Sequence, residues 1–409
     1  MRSFIPFEDA RSLVLAAARL LPEESCTLGS SLGRTVSRDV TAPVELPAFA
    51  SSGMDGFAVR AADLGPDGGT LTVIGHVAAG KPMEGTVDAG EAMRIMTGAP
   101  IPAGADSVVP VEWTDGHGTD SEWTSKQVVV QRGVDRGRNV RPAGEDVSRG
   151  AVVVQAGTVI TPPVIGMLAS IGMVQVPVRQ RPRIALLTTG DEIVSPEKTP
   201  AFGQVRNSNG PGLAAQVVLA GGVCSHVLHA PDNPAILRDT IGMARDADIL
   251  IATGGVSVGA HDYVQDELRA SGFEAAFWKV QQRPGKPLLF GHLGSTLVFG
   301  LPGNPVSSAM CFEMYVRPLM AAMMGAPEVL RKQWPGVLAE QVRKAPGLHT
   351  FMRGTAEAAP DGRMMIRATG PQGSNLYSSV QHASCVVHLP AEMDAANEGA
   401  DVWFEWVPW

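Results

Sequence analysis

Cysteine is scarce in this chain of 409 residues, and the four present, Cys26, Cys224, Cys311 and Cys385, lie far apart. They form no C-x-x-C pair, so neither a zinc site nor a disulfide framework is expected, and a reducing, cytoplasmic setting follows. Positive charge is also short. A formal net charge of −8 offers no grip on nucleic acid or an anionic membrane surface, so an anionic substrate needs a local basic cluster. No apolar run approaches the length of a membrane span. Glu8, Asp9 and Arg11 interrupt the stretch where a signal peptide would carry its apolar core. Three catalytic patterns are missing as well: G-x-x-x-x-G-K-[ST], G-x-G-x-x-G and a Ser–His–Asp set. The nine histidines are scattered, and His261 reads as a helix-surface residue.

What remains is an ordinary globular balance, 44% hydrophobic and 18% charged, at a length that suits roughly two to four domains. Pro6 to Leu21 predicts an amphipathic helix, with Ala10, Leu13, Val14, Ala17, Leu20 and Leu21 on one face. Residues 48–146 alternate short β-like runs with Gly, Pro and Asp turns, which predicts a small β-rich domain. That domain is read as an insertion between residues 1–47 and 147–180, which together form a discontinuous linking unit. Residues 181–327 alternate strand and helix, the mark of an open α/β domain with a mostly parallel sheet and helices on both faces. A long helix is expected to run to Met324, kinked at Pro318. Residues 328–409 predict an all-β, barrel-like domain. The fold class is thus multidomain α/β.

Within 181–327 the unusual residues fall just after strands. Asp248 to Asp262 reads as a buried strand, a Gly254-Gly255 turn, a second tight segment around Ser257, and Asp262 in the first turn of a helix running to about Arg269. A strand, a glycine turn and a helix N-terminus make an anion site from backbone N–H groups. Glu192, Asp232, Lys279, Arg283, Lys286 and the Pro302-Gly303-Asn304-Pro305 turn also follow strands. In an open parallel sheet the ligand crevice lies outside those carboxyl ends. Carboxylates with no Cys or His cluster beside them suit Mg²⁺, which gives Glu192, Asp232 and Asp262 as metal candidates. Lys279, Arg283 and Lys286 flank a turn stiffened by Pro284 and Pro287, suited to a phosphate or another oxyanion. Asn304 is placed as the N-cap and Pro305 at the first helical position of a further anion cradle. The residues alone therefore point to Mg²⁺-assisted chemistry on a phosphate-bearing small molecule, by attack at phosphate or oxyanion transfer.

The same residues carry a family resemblance. Thr-Gly-Asp-Glu (189–192), Gly-Gly-Val-Ser-Val-Gly (254–259) with Asp262, Pro-Gly-Lys-Pro (284–287), Gly-Leu-Pro-Gly-Asn-Pro-Val-Ser (300–307), Met-Asp-Gly-Phe-Ala-Val-Arg (54–60) and Arg-Ile-Met-Thr-Gly-Ala-Pro (94–100) occur in this order. Together they resemble the molybdopterin molybdenumtransferase family, which includes bacterial MoeA and the E domain of gephyrin. The resemblance implies that adenylylated molybdopterin and molybdate react to molybdenum cofactor with release of AMP. It implies that Glu192, Asp232 and Asp262 serve Mg²⁺ and adenylate cleavage, and that Lys279, Arg283 and Lys286 hold phosphate or molybdate. It adds Arg353 and Ser374 of the tail domain near the oxyanion, and Asp55 and Thr97 of the β-rich domain as functional positions. It implies a homodimer in which the β-rich domain approaches the partner's central domain, with an adenylyltransferase and molybdoenzyme acceptors as further partners. Three positions depart from the family pattern. Arg283 stands where lysine is usual, Asn233 where a second acid is common, and Phe57 where tyrosine is usual. Two alternatives are weighed, a molybdopterin adenylyltransferase and a non-catalytic scaffold. The additional domains speak against the first and the intact acids against the second.

Overall fold

The computed structural model describes residues 2–81, 85–115, 125–255, 263–344, 346–393 and 395–409. The central sheet has the spatial order Arg2–Ile5, Phe273–Val280, Leu289–Leu293, Thr296–Leu301, Ile249–Thr253, Arg183–Thr189, Val223–Ala230. Neighbours are parallel except around Leu289–Leu293, which is antiparallel to both of its neighbours. Successive side chains on a strand point to opposite faces, so a sheet covered on both sides needs apolar residues at consecutive positions. Ile184, Leu186, Ile249 and Ile251 pack on one side with residues of the helices Asn209–Leu219 and Pro305–Cys311. Ala185, Leu187, Leu250 and Ala252 pack on the other with helices Pro234–Met243 and Tyr263–Ala270. Each large aliphatic side chain buried in this way contributes about 1.5–3 kcal/mol.

Three local features differ from the sequence expectation. Leu289–Leu293 is an additional strand, joined to Thr296–Leu301 by a Gly294-Ser295 turn in which Gly294 takes φ +60°. Its sequence, Leu-Phe-Gly-His-Leu, carries no regular apolar–polar alternation to mark it as a hairpin arm. The helix at the N-terminus is shorter, Phe7–Ala16, and it packs on the central sheet. Strand Arg2–Ile5 pairs with Phe273–Val280, so Phe7, Ala10 and Val14 enter the same core as Phe277 and Phe290. The polar, mostly exposed Arg2–Ile5 gives no periodic signal of its edge position. The third is the long helix. Between Pro305–Cys311 and Arg317–Met323 it widens into a π-turn over Phe312–Val316. Pro318 has no N–H and its ring crowds the carbonyl four residues back, and a wider turn relieves both.

Residues 23–47 pair with 147–179 through Glu23–Thr27 with Gln175–Arg179 and Val40–Thr41 with Val152–Val154. Between them lies a five-stranded sheet, ordered Ser107–Pro110, Gly56–Val59, Glu91–Ile95, Gly69–Val77, Gln127–Val130. In the C-terminal region, His349–Ala358, Met364–Ala368, Gln333–Leu338, Asp401–Trp406 and Cys385–Leu389 pair in a ring that closes on itself. Closure into a barrel leaves no open edge, and Leu338, Ile366, Val387 and Phe404 fill the interior. No helix among the described residues is long and apolar enough to cross a membrane.

The central helix and the barrel are joined by buried charge. Glu313, 5% exposed in its side chain, is 2.8 Å from Arg317 and 2.6 Å from Arg331, which leads into the barrel. Removing one partner of such a cluster leaves buried charge uncompensated and costs about 3–5 kcal/mol. Glu313→Ala is therefore expected to lose stability of that order in denaturant melts. A loss no larger than the ~1 kcal/mol of an exposed pair would show that water reaches the two arginines.

Candidate active site

A cleft of about 550 Å³ opens at the carboxyl ends of the Arg183–Thr189, Ile249–Thr253 and Thr296–Leu301 strands. Its floor is two glycine turns in contact. Gly254 has φ +87°, and a Cβ there would lie 2.8 Å from the Thr189 backbone oxygen. A Cβ on Gly303 would lie 3.7 Å from the Gly254 Cα. The Gly254 turn tolerates no larger residue without moving backbone, whereas a Cβ at Gly303 would make only ordinary van der Waals contact. Asn209 ties the floor to a third element: its Nδ2 donates to the Gly303 carbonyl at 2.8 Å. Asn207 donates its Nδ2 to Thr188 Oγ1 and accepts at Oδ1 from the Gly210 N–H, both at 2.9 Å. Neither asparagine is among the expected site residues, although Asn-Ser-Asn ahead of a helix is a capping signal. Asn304 lines the cleft at the N-cap position, but its side chain makes no cap bond; Nδ2 donates instead to Ser374 Oγ of the C-terminal region at 3.2 Å.

Glu192 also lines the cleft, its carboxylate folded over Gly190, where a Cβ would lie 2.5 Å from Oε2. Asp232, just past the end of the neighbouring strand, donates its backbone N–H to Asp191 Oδ1 at 3.1 Å. Asp262 and Ser257 lie outside the described residues. Among the described residues no three His, Cys, Asp or Glu side chains stand close enough together to hold a metal ion. An all-carboxylate donor set suits Mg²⁺ chemically, yet Glu192 and Asp232 by themselves do not make its site.

A second cavity, about 180 Å³, lies between the central unit and the barrel, with Arg283 and Pro284 on one side and Arg353 and Gly373 on the other. Arg353 is fully buried. Its Nε donates to Ser379 Oγ at 2.8 Å and its Nη2 to the Gly373 carbonyl at 3.3 Å, while Nη1 is buried with no hydrogen-bond partner among the described residues. Burial lowers its pKa to about 10, which leaves it charged at neutral pH. An unneutralised buried cation with a spare donor favours an anion. Lys279 and Lys286 line neither cavity: their ammonium groups sit 3.9 Å from the Trp278 ring centre and 4.9 Å from that of Phe4.

Comparison with known proteins places the whole chain. Residues 5–172 match the MoeA N-terminal region (domain I and II), 185–322 a probable molybdopterin binding domain, and 335–406 the MoeA C-terminal region (domain IV). A molybdopterin molybdenumtransferase of Haemophilus influenzae is 34% identical, covering 98% of each chain. Molybdopterin molybdenumtransferase 2 of Mycobacterium tuberculosis is 34% identical over 92% of this chain and 93% of its own. The crystal structure of a molybdopterin biosynthesis moeA protein from Pyrococcus horikoshii superposes with a TM-score of 0.83 at 25% identity, over 99% of this chain and 100% of that one.

The chain belongs to the MoeA family of molybdopterin molybdenumtransferases.

Two of the three departures from the MoeA pattern, Asn233 and Phe57, have local explanations. Asn233 caps helix Pro234–Met243, accepting at Oδ1 from the N–H groups of Ala235 and Ile236 at 3.0 and 3.2 Å. Phe57 is fully buried in one cluster with Val109 and Val128, where a ring is needed for packing. Asp55 and Thr97 sit on the five-stranded sheet and bond to each other. Asp55 Oδ1 accepts from the Thr97 N–H at 2.6 Å and from Thr97 Oγ1 at 2.8 Å, and these two bonds hold its carboxyl below the ordinary range. A depressed folded-state pKa contributes stability that is present above the unfolded value and lost as pH falls through the folded one. Thr97→Val removes one donor, so the Asp55 titration, followed by carboxyl-carbon NMR, should move upward toward the ordinary aspartate value. An unmoved midpoint would assign the depression to the backbone bond alone.

Proposed function

We propose that this chain is a molybdenum insertase, which transfers molybdate into adenylylated molybdopterin and releases AMP. The observation that carries the reading is the pairing of two cavities of different character, linked by the Asn304–Ser374 hydrogen bond. The cleft presents backbone N–H groups and Glu192 at the ends of the parallel strands, a setting suited to a nucleotide phosphate. Gly254, Gly255, Ser257, Pro302, Gly303, Asn304 and Pro305 are its proposed substrate contacts. The smaller cavity presents Arg283 and the unneutralised Arg353, a setting suited to a compact oxyanion. Ser374 is assigned to the same anionic substrates, and Lys279 and Lys286 would join it on leaving the Trp278 and Phe4 rings. Mg²⁺, held by Glu192, Asp232 and Asp262, would neutralise the phosphate oxygens as AMP leaves. Glu192 orders the turn after its strand, since its carbonyl accepts the Val205 N–H at 2.9 Å. Asp55 and Thr97 act from the β-rich domain, in a homodimer whose partner's central domain they approach. The protein works in the cytoplasm, receiving substrate from an adenylyltransferase and passing product to molybdoenzymes.

Release of AMP from adenylylated molybdopterin by the purified protein, with Mg²⁺ and with or without molybdate, tests this. Release that depends on molybdate and yields active cofactor is the expected result. Consumption of ATP with unadenylated pterin would reassign the chain to the adenylyltransferase step, and bound pterin without turnover on molybdate or tungstate would make it a scaffold. Asp262→Asn should abolish AMP release; an unimpaired variant removes Asp262 from the mechanism. Arg353→Ala should raise the molybdate concentration needed for half-maximal rate at least tenfold, while the dependence on pterin stays as it was.

A further inference from the structure

Behind the Arg283–Lys286 turn runs a chain of buried polar groups that lines neither cavity. Tyr315, fully buried, donates its hydroxyl to Gln282 Oε1. Gln282, 1% exposed, donates its Nε2 to the Gly285 carbonyl at 3.1 Å and to Cys311 Sγ at 3.6 Å. Gly285 has φ +90°, and a Cβ there would lie 2.4 Å from Cys311 Sγ and 2.8 Å from Gln282 Nε2. The turn closes with the Val280 N–H on the Lys286 carbonyl at 2.9 Å. Burial raises the Tyr315 phenol well above its ordinary pKa and pushes the Cys311 thiol up to about 12, so both stay protonated and uncharged at neutral pH.

Packing alone does not call for these side chains, because Phe and Leu would fill the same space with no polar group to satisfy. What the chain supplies is a fixed position for one carbonyl. Arg283 and Arg353 line the same small cavity, and two guanidinium groups repel until an anion lies between them. A compliant turn would let Arg283 swing out to solvent.

We propose that Tyr315 and Gln282 are positioning residues for the oxyanion. Tyr315 orients Gln282, Gln282 pins the Gly285 carbonyl, and the pinned turn keeps Arg283 opposite Arg353 when the cavity is empty. The π-turn over Phe312–Val316 serves the same end, since it presents Tyr315 to Gln282 and Glu313 to the arginines from one stretch of helix. This inference rests on the oxyanion reading of the smaller cavity.

The test is titration calorimetry of the full-length protein with molybdate, and separately with AMP. Tyr315→Phe and Gln282→Leu should each weaken molybdate binding about tenfold. The double variant should be no weaker than Gln282→Leu alone, because Tyr315 acts through Gln282. AMP affinity should not change, because the cleft is braced by Asn209. Should Gln282→Leu fail to fold, Tyr315→Phe, which loses one oxygen, decides the matter alone. Unchanged molybdate affinity in Tyr315→Phe overturns the proposal. So does an equal loss of molybdate and AMP affinity with a lowered melting temperature, which is the mark of a general packing defect. A wild-type protein that binds neither molybdate nor tungstate removes the oxyanion reading itself, and the wild-type titration separates that failure from the other two.

Discussion

At the carboxyl edge of the central sheet two backbone turns have to pass at van der Waals distance. Thr253 and Leu301 are register partners on adjacent parallel strands, about 4.8 Å apart as such strands are. The turns that follow start side by side, and Gly254 and Gly303 are where they meet. Gly255 adds a constraint from below, since a Cβ there would lie 2.5 Å from Val264 Cγ2. Val264 belongs to the core beneath the sheet, with Leu237 and Leu250. A side chain at Gly254 would therefore displace the cleft floor, and one at Gly255 the helix that covers the sheet. Site geometry and core packing are settled by the same residues.

Buried charge is handled in two ways, and the contrast separates structure from recognition. Glu313 has Arg317 and Arg331 beside it, and this compensated cluster fastens the barrel to the central helix. Arg353 is fully buried and forms no ion pair among the described residues; its pKa is lowered by desolvation. A protein of net charge −8 repels anions at long range, so any anion it holds must be held by local cations. The smaller cavity collects Arg283, Arg343, Lys344 and Arg353. Their repulsion in the absence of an anion is a cost that the surrounding hydrogen bonds have to withstand.

Much of this was legible in the chain. Consecutive apolar positions at Ile184–Leu187 and Ile249–Ala252 demand a sheet covered on both faces, and that in turn places Glu192, Gly254 and Asn304 at one edge. The closed barrel followed from short strands between turns. Other features left no local trace. The edge position of Arg2–Ile5 comes from pairing with residues some 270 positions away, and a strand of four mostly exposed residues does not announce its partner. Leu289–Leu293 has no regular alternation because Phe290 enters one core and Leu289 and Leu293 the other, with His292 alone exposed. The π-turn answers Pro318, yet a proline in a helix predicts a disturbance without naming its form. Arg353 came from resemblance, since nothing in the sequence around it distinguishes a fully buried arginine from a solvated one. Lys279 and Lys286 show the converse: correct spacing around a stiff turn does not aim a flexible ammonium, and both rest over aromatic rings.

The two cavities differ in what they need in order to exist. Every residue lining the larger one belongs to the central unit. The smaller has one wall from that unit and the other from the barrel, and several ties hold the walls together. Gln282 and Arg283 pair in parallel with His349 and Thr350 at the barrel's edge. Asn304 holds Ser374, and Glu313 holds Arg331. The cationic turn is thus strand-paired to the barrel on one side and hydrogen-bonded through Gln282 to Tyr315 of the central helix on the other. Loosening the barrel would part the walls of the smaller cavity and would also release the Asn304 side chain, which lines the larger one. The smaller cavity therefore exists only while the barrel is docked, whereas the larger one is built by the central unit and depends on the barrel through Asn304.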